Sequence, residues 1–473
     1  MKVNNYTSLI RREILARISR ILLSDQDLSI TDRIALEMRP KKGDHVRCCL
    51  YRDRAIIKYR IMALLGFQEN QEVDELQDLK SYFTKAFEGE TKNAPLLSVI
   101  DEACSSCLKT KHVVTNMCQG CVGRPCKLNC PKNAIEIIDG QAKISQHACV
   151  NCGICLKVCP FHAIIYPPVP CEESCPVSAI KKDEYGKEKI DMDSCILCGK
   201  CLDACPFGAI VEKTHLFDVI REIKDGKQVV AMLAPAVAGQ FRNSMQQIMS
   251  GFKAIGFFDV AEVASGADIT SANEAKEFME KMEEGLSMTT SCCPAYASMI
   301  RKHSPELMKY VSRTLSPMEY TAMAMREKYP DAILVFVGPC VAKKGEGMMS
   351  KYVDYVINIE EYGAWLVASE TELSACSGTS PNENISQSAR NYAIPGGVSS
   401  AVAMHLPGKT IETIRFEGID KNFLRKLKPV LLKNSSVLVE VMACENGCIG
   451  GCNVIANARF AAGQIKSFIQ SGE

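Results

Sequence analysis

The sequence predicts an α/β domain with parallel sheets over its C-terminal half. A small cysteine-rich α+β region and a mostly helical N-terminal segment precede it. Three observations predict this. Apolar runs of strand length end at turn signals and cysteines: residues 332–337 lead into Gly338-Pro339-Cys340, and residues 436–441 into Met442-Ala443-Cys444. Short runs bounded in this way suit buried parallel strands. A repeat, C-x3-C-P-x2-A-I, occurs four times between residues 126 and 210. Near the N-terminus, Ile10, Ile14, Ile18, Ile21 and Leu22 recur at helical spacing,. The expected divisions are 1–95, 96–213 and 214–473.

At 473 residues the chain is long enough for two or three domains with a sizeable core,. Lys plus Arg number 56 against 55 Asp plus Glu, so charge gives no argument for nucleic acid. The 25 cysteines are the outlier. No secretion signal is expected, because Arg11, Arg12, Arg17 and Arg20 interrupt the N-terminal apolar pattern,. No apolar run approaches the ~20 residues of a membrane span. The expectation is a cytoplasmic protein in a reducing compartment, with cysteines used for metal.

In the N-terminal segment the isoleucine pattern reads as a packed amphipathic helix with arginines on its other side,. Cys48-Cys49 lies in a basic stretch and reads as buried or incidental, since adjacent cysteines chelate poorly. Arg52, Arg54, Lys58 and Arg60 read as a solvated face, with a docking surface for an acidic redox partner as the alternative,. Residues 74–78 and 80–93 read as a linker.

The cysteine-rich region carries the bacterial ferredoxin run C-x2-C-x2-C-x3-C-P twice: Cys149, Cys152, Cys155, Cys159 and Cys195, Cys198, Cys201, Cys205. Cys118, Cys121, Cys126 and Cys130 form a close third. Three cysteines on a tight loop take three corners of one 4Fe-4S cubane, and the fourth, before proline, reaches the neighbouring cluster. A ferredoxin-like multi-cluster domain is therefore expected. The fourth repeat has only Cys171 and Cys175, and Cys104-x2-Cys107 is the pair left over. One consistent assignment gives four cubanes. These are Cys118, Cys121, Cys126 with Cys159; Cys149, Cys152, Cys155 with Cys130; Cys195, Cys198, Cys201 with Cys175; and Cys104, Cys107, Cys171 with Cys205. A nested pairing, three clusters with unused cysteines, and a zinc site from Cys104, Cys107, Cys118 and Cys121 are the alternatives.

From about residue 214 the pattern becomes α/β. Residues 228–234 read as a strand ending at Ala234-Pro235, with a helix from about Gly239. Gly266-Ala267-Asp268 opens a polar helix carrying Glu274 and Glu277 on one face,. Sites in open α/β sheets form beyond the carboxyl ends of strands. Cys293, Cys340, Cys444 and Cys448 can therefore converge, although about 150 residues of chain separate the first from the last. Four thiolates from separate loops suit a soft iron–sulfur centre. His303, His405 and His112 are isolated and read as surface or satisfied core residues. No G-x-G-x-x-G followed by an acidic residue marks a nicotinamide site.

Three stretches, Thr290-Ser291-Cys292-Cys293-Pro294, Gly338 through Lys344 and Met442 through Gly451, resemble the three signature motifs of the FeFe-hydrogenases, in order. The resemblance covers the chain from about Lys227, together with the ferredoxin-like region. It implies an H-cluster, a cubane bridged through a cysteine to a two-iron unit carrying CO, cyanide and a dithiolate. It further implies that Cys293, Cys340, Cys444 and Cys448 hold the cubane, with Cys448 bridging. On the same basis Cys292 passes protons, Lys343 holds a cyanide, and Ala234, Pro235 and Met442 lie beside the two-iron unit. Glu274, Glu277 and Ser312 match a proton path, and a thiol near its free pKa of about 8.5 can exchange protons at neutral pH.

The family resemblance also implies turnover of protons and H2, three to four accessory 4Fe-4S clusters, ferredoxin or a similar carrier as partner, and separate maturation proteins. Tyr296, Gly338 and Cys452 depart from the commonest motifs and look more like the clostridial group B. Gly338 stands for a methionine that would pack beside the two-iron unit. Cys452 reads either as a redox-linked thiol or as a filler. A slow hydrogen sensor, a Narf-like assembly protein and an electron-transfer subunit are the rival expectations.

Overall fold

The computed structural model describes residues 5–42, 49–105, 107, 112–380, 384–406, 408, 411–433 and 436–471. Cys48 lies outside them.

The C-terminal domain is built on two parallel sheets. In the larger, the strands Asp259–Glu262, Val229–Leu233, Ile333–Gly338 and Tyr355–Asn358 lie in that order, all parallel. Val229–Leu233, in the middle, is completely buried, as its unbroken apolar run requires when helices cover both faces,. In the smaller, Leu438–Met442 runs between Met288–Thr289 and Thr413–Glu417, again parallel. The strand-terminal motifs come off the carboxyl ends of both sheets and face one crevice. One expectation shifts: the segment after Ala234 is a 3-10 turn, Pro235–Gly239, and the helix begins only at Met245. There Ser244 accepts from Gln247 N in a reciprocal capping box,.

The cysteine-rich region is made of short antiparallel ribbons. Ile135–Ile138 pairs with Gln141–Ile144, and Ile180–Lys182 with Glu188–Ile190. Leu97–Val99 pairs with Ile210–Glu212 and closes the region on itself. In the two complete runs the C-x2-C loop turns into a short helix through a glycine in the left-handed region, Gly153 at φ 72° and Gly199 at φ 74°, which a side chain there would strain; in the third, Arg124 takes that place at φ 40°,. The outer unit has its own small core around Cys126, Ile135, Ala142, Cys155 and Ile164. The inner unit does not: Cys104, Cys171, Cys175, Cys201 and Cys205 belong to the main core.

The N-terminal segment is integral to the C-terminal domain. Helix Tyr6–Leu23 buries Ile10, Ile14, Ile18 and Ile21 and packs on helix Ile359–Ala368. Its arginines are not all in water: Arg11 and Arg12 both clamp the buried Glu360, Arg12 at 2.6 Å. The linker expectation is overturned. Residues 79–87 form a helix capped by Asp78, with Leu79, Tyr82 and Phe83 buried at i, i+3 and i+4. Three apolar residues among many polar ones suffice, because Phe83 meets Phe217 and Tyr82 meets Phe67. Of the four basic residues after Cys49, Arg54, Lys58 and Arg60 turn inward, while Arg52 stays exposed as expected. Arg60 donates to Phe207 O at 3.0 Å, Arg54 to Arg39 O at 2.9 Å and Arg52 to Glu102 O at 2.9 Å, while Lys58 pairs with Glu72 at 2.6 Å.

A buried ion network joins the cysteine-rich region to the crevice. Lys344, wholly inaccessible, sits 2.7 Å from Glu212 and 2.8 Å from Glu361 and donates to Lys213 O. Among the described residues no helix is long and apolar enough to cross a membrane.

Candidate functional site

The crevice holds a cleft that is open at its mouth and lined almost wholly by apolar groups and sulfur. Cys292, Cys293, Cys340, Cys444 and Cys448 all line it, with Ala234, Pro235, Lys343 and Met442. Each arrives from a loop beyond a strand. Cys293 caps helix Pro294–His303 just after Met288–Thr289, and Cys340 caps Val341–Met349 just after Ile333–Gly338. Cys444 follows Leu438–Met442, and Asn446 and Gly447 at φ 63° and 70° turn the chain back to bring in Cys448. Burial pushes the thiols of Cys340 and Cys444 well up, and neighbouring cysteines add to it. Four soft donors around open space suit an iron–sulfur cluster, whose binding must displace their protons.

Lys343 lies in the cleft wall, donating to Glu346 Oε2 at 2.6 Å and Ser316 Oγ at 3.0 Å. Burial disfavours its charge, but Glu346 and the neighbouring cysteines outweigh this and raise its pKa.

On the other side, Glu274 is fully buried on helix Ala264–Glu283. Ser291 donates to its Oε1 from N at 2.9 Å and from Oγ at 3.3 Å. Its Oε2 has no partner among the described residues. Burial pushes its pKa up to about 7, against the stabilising bonds from Ser291. One turn on, Glu277 accepts from Ser312 Oγ and Arg313 N, both at 2.9 Å, and pairs with Lys281 at 3.2 Å. Burial opposes its charge, yet these partners hold its pKa below the usual range. The Ser312 hydroxyl also reaches toward Glu274 and steadies its anion. The line ends at Arg313, 81% exposed and 3.4 Å from Glu277.

The expectation for Cys292 needs correction. Its thiol is not near its free pKa, because burial, then the charge of Glu274, pushes it well above. In this line Glu274 is the group poised near neutrality.

Residues not singled out from the sequence also shape the cleft. Phe336 is one. A Cβ on Gly338 would stand 2.5 Å from its ring, and Lys343 Nζ lies 5.9 Å from the ring centroid. The place of the missing methionine is thus filled from two residues upstream, a swap that no single motif reveals. Tyr392 is another, lining the cleft with its hydroxyl 2.8 Å from Ser271 Oγ. Tyr296 is a satisfied core residue, donating to Thr289 Oγ1 at 2.8 Å. Cys452 fills the space beside Gly199, where an added Cβ would collide with its sulfur.

The sixteen cysteines from Cys104 to Cys205 gather into four sets. Cys130, Cys149, Cys152 and Cys155 line one cavity, and Cys104, Cys107, Cys171 and Cys205 another. Burial raises the pKa of Cys126, and Cys121, Cys159 and Cys118 press it further. Burial likewise raises Cys201, with Cys198, Cys195 and Cys175 around it. Cys104 and Cys107 thus stand with Cys171 and Cys205, and Cys118 and Cys121 with Cys126 and Cys159, which divides the zinc alternative between two places. Among the described residues no three His, Cys, Asp or Glu side chains close on a single ion. Cys198 also lines the main cleft, so the third set adjoins it.

The chain is similar to known proteins in two regions. Residues 227–452 match the family model "Iron only hydrogenase large subunit, C-terminal domain". The C-terminal domain belongs to the iron-only hydrogenase large-subunit family. Residues 141–164 match a 4Fe-4S binding domain and residues 165–216 the LdpA Fe-S cluster-binding domain, so the chain carries iron–sulfur-binding domains upstream. Iron hydrogenase 1 of Clostridium pasteurianum is 25% identical over 385 residues, covering 68% of this chain and 66% of that protein. The NADP-reducing hydrogenase subunit HndD of Solidesulfovibrio fructosivorans is 24% identical over 380 residues, 66% of this chain and 56% of that one. The chain thus spans less than two thirds of the length of either relative. A solved [FeFe]-hydrogenase from Chlamydomonas reinhardtii is 18% identical with a TM-score of 0.44, covering 53% of this chain and 88% of that chain.

Proposed function

We propose that the protein is a FeFe-hydrogenase that interconverts protons and electrons with H2, exchanging electrons with ferredoxin or a similar carrier. One observation carries the proposal. Four cysteines from three strand ends, a lysine and a carboxylate-linked cysteine surround a single cleft. When bound, an H-cluster supplies the chemistry of 2H+ + 2e− ⇌ H2. Cys293, Cys340, Cys444 and Cys448 would hold its iron–sulfur part. Lys343, its charge kept by Glu346, would hold a cyanide ligand, while Ala234, Pro235, Phe336 and Met442 exclude water,.

The chain's own residues manage the proton. Glu277 receives it near the surface, held in place by the exposed Arg313, and Ser312 relays it to Glu274. That carboxyl, with a pKa of about 7, holds or releases it at neutral pH beside Cys292,. Electrons would reach the cleft through the set at Cys175, Cys195, Cys198 and Cys201, which adjoins it. Cyanide and CO would come from separate maturation proteins, in an anaerobic, reducing cytoplasm.

Infrared spectroscopy of the anaerobically matured protein is the test. CO and cyanide stretching bands that shift under H2 are expected. Their absence despite full 4Fe-4S loading would shift the assignment to an assembly or electron-transfer protein.

A further inference from the structure

His112 looks incidental in the sequence, and its place in the fold is unexpected. It is 93% buried in the outer unit and lines the cavity of Cys130, Cys149, Cys152 and Cys155. The Nε2–Cε1 edge of its ring faces the turn between Cys152 and Cys155. A Cβ on Gly153 would stand 3.5 Å from Nε2 and 3.9 Å from Cε1. Tyr166 packs on the ring at 5.5 Å and fixes its plane. Nδ1 is buried and has no hydrogen-bond partner among the described residues. Apart from the four thiols, only His112 and the exposed Lys132 bring a polar side chain to this cavity.

Buried polar groups are almost always hydrogen-bonded, so an unpartnered nitrogen on a ring that lines this wall leaves a place for a partner held in the cavity,. The sulfurs of a cubane held there, four bridging sulfides and four thiolates, are acceptors only. An imidazole N–H is a donor. We propose that His112 donates a ring N–H hydrogen bond to the cluster held by Cys130, Cys149, Cys152 and Cys155, and so raises its reduction potential above that of the cluster held by Cys104, Cys107, Cys171 and Cys205. A hydrogen bond to cluster sulfur stabilises the more negative, reduced state. The cavity of Cys104, Cys107, Cys171 and Cys205 is lined by no histidine, and instead holds the carboxylate of Glu188. His112 is therefore a positioning residue for electrons at the outer end of the chain: it makes this cluster a place where they rest. Gly153 is part of the same arrangement, because its φ of 72° shapes the turn that the ring faces,.

The inference rests on these four cysteines holding a cubane and is independent of hydrogen turnover. The test therefore uses the full chain with its 4Fe-4S clusters reconstituted and no two-iron unit. Potentiometric EPR should show one cluster whose midpoint falls in His112→Phe by at least ~59 mV, a tenfold change in its one-electron reduction constant, while the others stay in place. In His112→Gln, an amide donor should restore part of the shift. Should the phenylalanine variant lose iron, hyperfine spectroscopy of the reduced wild type, labelled with 15N-histidine, decides. A weak nitrogen coupling with an exchangeable proton supports the hydrogen bond. No nitrogen coupling, or a strong coupling marking direct ligation to iron, overturns it, as do unchanged midpoints in a fully loaded His112→Phe.

Discussion

The two approaches to the cleft are built differently. On the proposed proton side, Arg313 and Ser312 reach Glu277 at 3.4 and 2.9 Å, and one helical turn away Ser291 reaches Glu274, sealed from water, at 2.9 Å. On the electron side, four cysteine sets are spaced through two ferredoxin-like units, the outer with a core of its own and the inner continuous with the main core. The difference follows from what is carried. A proton moves only between groups within hydrogen-bond reach, so every atom of its route must be in place. An electron tunnels between centres without contact, so its route depends on how firmly each centre is held and at what potential.

The largest effects should come from breaking the continuous side. Glu274→Gln and Cys292→Ala should each lower H2 turnover by at least ~10²–10⁴, with iron content and infrared bands retained. Wild-type rates in either variant would remove the proposed route.

On the electron side the buried ion network is a point sensitive to substitution. Lys344→Met would leave Glu212 and Glu361 buried together without their cation, a loss of about 3–5 kcal/mol,. The denaturation midpoint of the reconstituted protein measures it. An unchanged midpoint would show that the inner unit docks without this network.

Glu274 also links the proton side to stability. Its pKa is raised from 4.5 to about 7, so between those values the native state binds more protons than the unfolded state. Stability therefore falls as pH rises through that window, by about 3 kcal/mol in all. Glu274→Gln should remove this slope, so that the variant gains on wild type from pH 5 to 7 in paired denaturation curves. Parallel curves would place the carboxyl in a wetter setting.

The smallest effect distinguishes the two units. Cys152→Ser, in the exposed outer loop, should remove one cubane's iron and leave the denaturation midpoint of the rest unchanged. Cys201→Ser, in the main core, should lower both,. Equal losses would mean that the outer unit is not independent.

Much of this was legible in advance. The C-x2-C loops are local, and the strand-end cysteines follow from apolar runs that stop at turns. Other features were hidden by their surroundings. The helix of residues 79–87 reads as linker because its buried face is only three residues wide. Arg54, Lys58 and Arg60 read as a solvated face, yet each is bound to a neighbour. His112 reads as isolated because its neighbours in the cavity wall lie 18 to 43 residues away in the chain.

The sequence by itself determined the thiols, their grouping into loops and the order of the strands that carry them, since ligand spacing and apolar periodicity are properties of short stretches. Only the tertiary structure decided which loops share a cluster, that Phe336 fills the space beside Gly338, and that Glu274 titrates near neutrality while Glu277 does not. Those outcomes depend on burial and on partners brought together from distant parts of the chain, and burial does not exist until the chain has folded.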